Sequence, residues 1–139
     1  MERAMFRKIN GSWAKLESLD DFRALHYARI SREYNDFVQN GWAPVTVNGE
    51  SFEMQIRDAD IAKVDGAIRY NEMMGVTEMY LTDASNVNHY GVSLADAKLV
   101  LVEMMRVAYG AHALKQQARA QIAAAQTVEE MEAVSLGSL

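Results

Sequence analysis

Apolar positions along this chain recur with two periods, and the places where the period changes mark its elements. Leu19, Phe22, Ile30, Tyr34 and Phe37 fall at helical spacing. Ser18 stands ahead of them as a cap, and Asp20 and Asp21 suit the positive end of a helix dipole. This helix is expected to end near Asn40-Gly41, a standard stop signal. Asn48-Gly49, set between Thr46-Val47 and Phe52, predicts a β-hairpin, because that dipeptide accepts the positive φ angles of a tight turn. Arg57-Asp58-Ala59-Asp60 opens a second helix with Ile61, Val64 and Ile68 on one face and Gly75 as its stop.

A second strand-turn-strand follows. Val76 to Leu81 reads as a strand, Asp83-Ala84-Ser85-Asn86 as turn chemistry, and Val87 to Val92 as the return strand. Ser93-Leu94-Ala95-Asp96 resembles a capping box, with Asp in place of the usual Glu. The long helix it starts is expected to reach about Ala125, with Leu94, Leu101, Met105, Ala108 and Leu114 on its apolar side. Gly110 weakens its middle and marks close packing or a bend. Thr127-Val128-Glu129-Glu130 is a full capping box and restarts a short helix carrying Met131 and Val134. The expected fold is α+β: two small β-hairpins packed with about four helices, the longest near the C-terminus.

Length and composition fit one domain. The chain has 139 residues, half of them apolar and 24% charged, with a single Pro. Residues 1–17 are read as an N-terminal arm and 18–139 as a single α+β domain. No apolar run is long enough to span a bilayer, and the start lacks the apolar core of a signal peptide. The absence of Cys removes disulfides, thiolate nucleophiles and Cys-ligated zinc together. A net charge of −5 argues against non-specific nucleic-acid binding, which rests on phosphate neutralisation.

The stretch LTDASNVNHYGVSL, residues 81–94, concentrates the candidate chemistry in Asp83, Ser85, Asn86, Asn88 and His89. It does not follow a calcium-loop spacing. Counted from Asp83, the third ligand position is Val87, the glycine position is Asn88 and the closing glutamate position is Leu94. His26, His89 and His112 are isolated along the chain, so zinc spacing is missing as well. Nucleotide-loop and nucleophile-elbow motifs are absent. Asp83 and His89 could form an acid/base pair across a hairpin. The favoured reading is structural: Asp83 and Asn86 shape the turn, and His89 and Tyr90 are packing or contact residues. No catalytic, metal or cofactor residue is assigned, and no enzyme activity is expected.

The arm pairs an apolar set, Met5, Phe6, Ile9 and Trp13, with Arg3, Arg7, Lys8 and Lys15, and Gly11-Ser12 interrupts any helix in it. Met5, Phe6, Ile9 and Trp13, together with Trp42, are the interface candidates, since Trp is enriched at binding hot spots. For Trp42 a cap over the local core is the favoured alternative. Met73-Met74 and Met104-Met105 are read as core filling ahead of an adaptable binding surface. The alanines from Ala118 to Ala125 suit either close helix approach between subunits or plain helix propensity.

The order of these elements resembles an uncharacterised domain of tailed-bacteriophage proteins, often encoded among tail and tail-fibre genes. The likeness covers residues 45–136 and is carried by Asp-x-Asp-Ile opening the second helix and Thr82-Asp83 in the strand-turn-strand. V-S-L-A-D-A opening the long helix and the ending A-R-A-Q-I-A-A-A-Q-T-V-E-E-M-E-A-V complete it. Met79-Tyr80 stands where that domain is expected to carry Trp. The resemblance implies a structural virion component in the tail or fibre-attachment region. Such a component would be made in the bacterial host cytoplasm and would act through contacts with other virion proteins and copies of itself. A tail-fibre assembly chaperone that leaves the mature particle is the nearest alternative, and a small host-directed enzyme or nucleic-acid-binding regulator is the alternative of another class. Neither a membrane nor a nucleic acid is an expected partner.

Overall fold

The structure, a computed structural model, describes residues 18–137 in full and residues 5–9 and 12–16 by backbone course only. The element order is β1 (Met5–Ile9), β2 (Ser12–Leu16), α1 (Leu19–Asn40), β3 (Trp42–Val47), β4 (Glu50–Gln55) and α2 (Asp58–Met73). It continues with β5 (Glu78–Thr82), β6 (Asn88–Ser93), α3 (Leu94–Ala124) and α4 (Val128–Glu132). The fold is α+β, with four helices and the longest one near the C-terminus. Both expected hairpins are present, as the antiparallel pairs β3–β4 and β5–β6. In the arm, β1 also pairs antiparallel with β2, a ladder that the helix-breaking Gly11-Ser12 did not by itself predict.

The chain divides into two compact units, one of Met1–Tyr34 with Ala113–Leu139 and one of Asn35–His112. Helices α1 and α3 supply residues to both. In the first unit, Phe22, Ile30, Ala118, Ile122, Ala125, Met131, Val134 and Leu136 form an apolar cluster. Two arginines of α1 tie down the C-terminal segment there. Arg23 Nη2 donates to the carbonyl of Ala125 at 2.9 Å, and Arg29 Nη2 to that of Val134 at 2.7 Å. These carbonyls lie just past the ends of α3 and α4, where a cation offsets the negative end of a helix dipole. Ala118 and Ala125 are buried in this cluster, whereas Ala120, Ala123 and Ala124 are exposed, so one face of the alanine stretch packs within its own chain.

The second unit holds the larger cluster, drawn from both hairpins, α2 and the first half of α3. Strand β3 alternates cleanly: Ala43, Val45 and Val47 point inward, and Trp42, Pro44 and Thr46 outward. Pro44 is tolerated because β3 has a paired neighbour on one side only. From α2, Val64 and Ile68 are buried, as the spacing predicts, and Ile61 is partly buried. The core face of α3 is rotated from the expected one. Ala97, Val100, Met104 and Ala108 are buried, whereas Leu94, Leu101, Met105 and Leu114 are intermediate. Met104 fills the centre of this inner face, with the smaller Ala97 and Ala108 to either side, and Leu101 and Met105 flank the contact. Gly110 has open space where a Cβ would sit, so close packing does not explain it.

The caps behave as read. Ser18 Oγ accepts from the Asp21 amide at 3.1 Å, and Asp21 Oδ2 accepts from the Ser18 amide at 3.3 Å. Ser93 Oγ accepts from the Asp96 amide at 3.0 Å, and Thr127 Oγ1 from the Glu130 amide at 3.1 Å. No helix among the described residues is long and apolar enough to cross a membrane.

Candidate functional site

The polar loop lies in the second unit and is the turn between β5 and β6. Asp83 organises it. Its Oδ1 accepts from the amides of Ser85 at 2.8 Å and Val87 at 3.0 Å, while its own amide donates to the Val87 carbonyl at 2.9 Å. Asn86 supplies the left-handed residue, at φ 62°. The other carboxylate oxygen, Oδ2, meets His89 Nε2 at 2.7 Å. Asp83 and His89, six positions apart, therefore come together as the sequence allowed.

What surrounds His89 decides what the pair can do. The imidazole is buried and stacks on Phe52 of the other hairpin, with ring centroids 3.8 Å apart and planes 12° from parallel. Its Nδ1 lies 3.4 Å from Glu50 Oε2. The hydrogen bond to Asp83 raises the His89 pKa above its usual value, opposed by burial and helped by Glu50. The same bond, with the Val87 amide behind it, lowers the Asp83 carboxyl. Protonation of His89 and ionisation of Asp83 thus favour each other. An imidazolium with both nitrogens facing carboxylates is a poor general base, because neither nitrogen offers a free lone pair. The arrangement works as a polar latch joining the two hairpins. Asn48 Nδ2 donating to the Gly91 carbonyl at 3.3 Å, and the Ala84 amide donating to the Glu53 carbonyl at 2.7 Å, add two further links.

A larger feature lies on the other side of β5. An open groove of about 1080 Å³ runs between β5 and α2. One wall is made of the five residues of β5 and the first two of the turn after it, Asp83 and Ala84. Its helix wall is Asp60, Lys63, Val64, Ala67, Tyr70 and Asn71, which recur at helical spacing. Met54 and Met104 back it from the core, where both are buried. Tyr70, Tyr80 and Tyr90 also line it and are 63%, 56% and 72% exposed, with the Tyr80 and Tyr90 rings 5.7 Å apart. At one end Arg57 grips both carboxylate oxygens of Asp60, at 2.7 and 3.2 Å. Among the described residues, no three His, Cys, Asp or Glu side chains are grouped so as to hold a metal ion.

The sequence candidates fare unevenly. Trp42 does not cap the core: it sits on the outward face of β3 and is 51% exposed, because the alternation that buries Ala43 turns it away. The side chains of Met5, Phe6, Ile9 and Trp13 lie outside the described residues. Met104 fills the core, but Met73 and Met74 are 86% and 62% exposed at the end of α2 and correct the core reading. Of the tyrosines around the groove, Tyr90 was read as a packing or contact residue, and Tyr70 and Tyr80 were missed. Their signal was weak: Tyr70 follows Arg69 on the polar side of α2, and Tyr80 and Tyr90 stand on outward strand positions. Glu50, the second carboxylate on His89, gave no signal at all, since it is 39 positions away in the chain.

No protein-family model matches this chain, and no curated protein or solved structure matches it either.

Proposed function

We propose that this chain is a structural component of a bacteriophage virion, in the tail or fibre-attachment region, and that it acts through protein–protein contacts, with copies of itself among the partners. The observation that carries the reading is the amount of large apolar surface left open on a well-packed unit. Tyr70, Met73, Met74, Val76, Tyr80 and Tyr90 are exposed around one end of α2 and the second hairpin. Leu99, Val102 and Tyr109 form an exposed line on α3, at spacings of three and seven, away from its buried face. Apolar side chains gathered in this way mark contact surfaces more than scattered ones do. The resemblance of residues 45–136 to a phage domain supplies the setting. The latch at Asp83 and His89 is read as structural, so this function needs no catalytic residue, metal or cofactor.

Mass spectrometry of purified particles tests the proposal. A virion component appears there in fixed stoichiometry with the other tail proteins. Presence in infected cells but absence from purified particles would sink the structural reading in favour of an assembly chaperone.

A further inference from the structure

We infer that the groove between α2 and β5 is a strand-docking site, filled by the N-terminal arm, residues 1–17, of a second copy of this chain. The inference rests on the self-association proposed above and names the contact that produces it. Its first support is the groove's wall. A strand that offers one face to a cavity contributes every second residue, because successive side chains alternate. Here all five residues of β5 line it, followed by Asp83 and Ala84 of the turn, so β5 presents its edge, the backbone itself. Among the described residues β5 pairs only with β6, which leaves the outer edge without a ladder. An edge of that kind is completed by another extended chain, whose donors and acceptors have the matching spacing.

The opposite wall suits such a strand. The half-buried Ala67 and the edge of Val64 give an apolar base for side chains turned inward, and the small side chain of Ala67 leaves room above the helix. The exposed Tyr70, Tyr80 and Tyr90 can flank side chains turned outward. The link from the Ala84 amide to the Glu53 carbonyl closes the strand wall at one end.

The occupant is chosen on backbone, length and charge. Residues 5–9 and 12–16 follow strand backbone, and each strand has five residues, the same number as β5. Both carry apolar residues, among them Phe6 and Trp13. The arm bears Arg3, Arg7, Lys8 and Lys15 against Glu2 and Glu17, while the whole chain is at −5, so the rest of the chain carries the acid excess. Of the charged side chains that line the groove, Asp60 is paired with Arg57 and Asp83 with His89, which leaves Glu78 beside Lys63 to bring part of that excess there. A basic arm is drawn to such a surface, and salt weakens the attraction.

The test uses the full chain. Sedimentation velocity measures self-association against concentration, and hydrogen exchange reads the amides of residues 78–82 in the same samples. Self-association is expected to protect those amides. Ala67→Arg, which fills the groove from its base, and Trp13→Asp in the arm should each weaken association by about tenfold or more, the scale of a hot-spot loss. Ala62→Arg, at an exposed α2 position outside the groove, should leave it unchanged. A synthetic peptide of residues 1–17 added to wild-type protein should compete, less well as salt rises. That arm of the test does not depend on how any variant folds. Protection already complete in the dilute monomer would place the chain's own arm in the groove and overturn the inference. So would a peptide that fails to compete, or an Ala67→Arg protein that associates normally. The particle experiment is separate: loss of arm binding leaves the virion reading standing, and absence from particles leaves the groove result standing.

Discussion

The two fully described hairpins are built on opposite principles. β3–β4 turns through Asn48 and Gly49, at φ 53° and 77°, and its six rungs run in register without interruption. Its turn and all six rungs lie within fourteen residues, from Trp42 to Gln55. β5–β6 has a longer turn, a register shift between Met79 and Leu81, and Gly91 at φ 70° beside the irregularity. Its turn is held by the Asp83 carboxylate, and that carboxylate is held by His89, which leans on Phe52 and Glu50 of the first hairpin. The first hairpin is thus a local structure that serves as a platform. The second depends on the first, and it is the second that presents the open edge and two of the groove's exposed tyrosines.

That dependence predicts that the largest effect comes from the platform. Phe52 packs in the core and also carries the His89 ring. Phe52→Ala is expected to cost about 3–5 kcal/mol, the range for removing a buried aromatic. Hydrogen exchange should show the β5–β6 amides losing protection along with those of β3–β4. A variant that loosens only β3–β4 would break the comparison, because the second hairpin would then stand by itself.

This asymmetry also explains what was legible in the sequence. The Asn48-Gly49 turn, the Ser18, Ser93 and Thr127 caps and the buried face of α2 all follow from neighbours a few positions apart, and all were readable. Asp83 and Asn86 were readable as turn residues for the same reason. The partners of His89 beyond Asp83 were not, because stacking on Phe52 and the approach of Glu50 arise only when two hairpins meet. The inner face of α3 was misread in the same way. Periodicity favoured the bulky Leu101 and Met105, but the packed hairpins select Ala97, Val100 and Met104. The groove was invisible, since a free strand edge is a property of what fails to pair and has no residue pattern of its own.

Asp83→Ala should be the next largest perturbation. It removes two amide–carboxylate hydrogen bonds from the turn and leaves a buried imidazole without its main partner. A cost of about 2–3 kcal/mol is expected, as for other buried groups left unsatisfied. A double-mutant cycle with His89→Ala sharpens the point. The two changes should be less than additive in denaturant unfolding, because either one breaks the latch. Full additivity would mean that Asp83 acts through the turn alone.

The latch also predicts how stability follows pH. The His89 pKa is raised on folding, so its contribution is fully present below the usual value of 6.5 and is lost as pH rises through the folded value. The Asp83 pKa is lowered, so its contribution is present above 3.8 and is lost as pH falls through the folded value. Stability from this pair should therefore be greatest between those two reference values. In urea unfolding followed against pH, His89→Ala should flatten the decline above 6.5 and weaken the acid decline, because Asp83 loses the partner that depresses it. An unchanged alkaline slope in that variant would assign the pH dependence to other groups.

The smallest expected effect belongs to the local hairpin and completes the contrast. Gly49 sits at φ 77°, a conformation that side chains other than glycine adopt at a cost, but a Cβ there would meet nothing within 4 Å. Gly49→Ala should therefore cost about 1 kcal/mol, from backbone strain alone. The loss should appear in global unfolding with no redistribution of protection, since the six-rung register is fixed by the buried positions Ala43, Val45, Val47, Phe52 and Met54 as well as by the turn. The polar latch should also survive, because Glu50 and Phe52 keep their places when the register is kept. The His89 imidazole signals in a pH titration by NMR report on this directly. A midpoint that stays raised in Gly49→Ala shows that the platform tolerates strain at its tip. A midpoint that falls back to the ordinary histidine value shows that the turn, and not the core-facing side chains, sets the register on which the second hairpin depends.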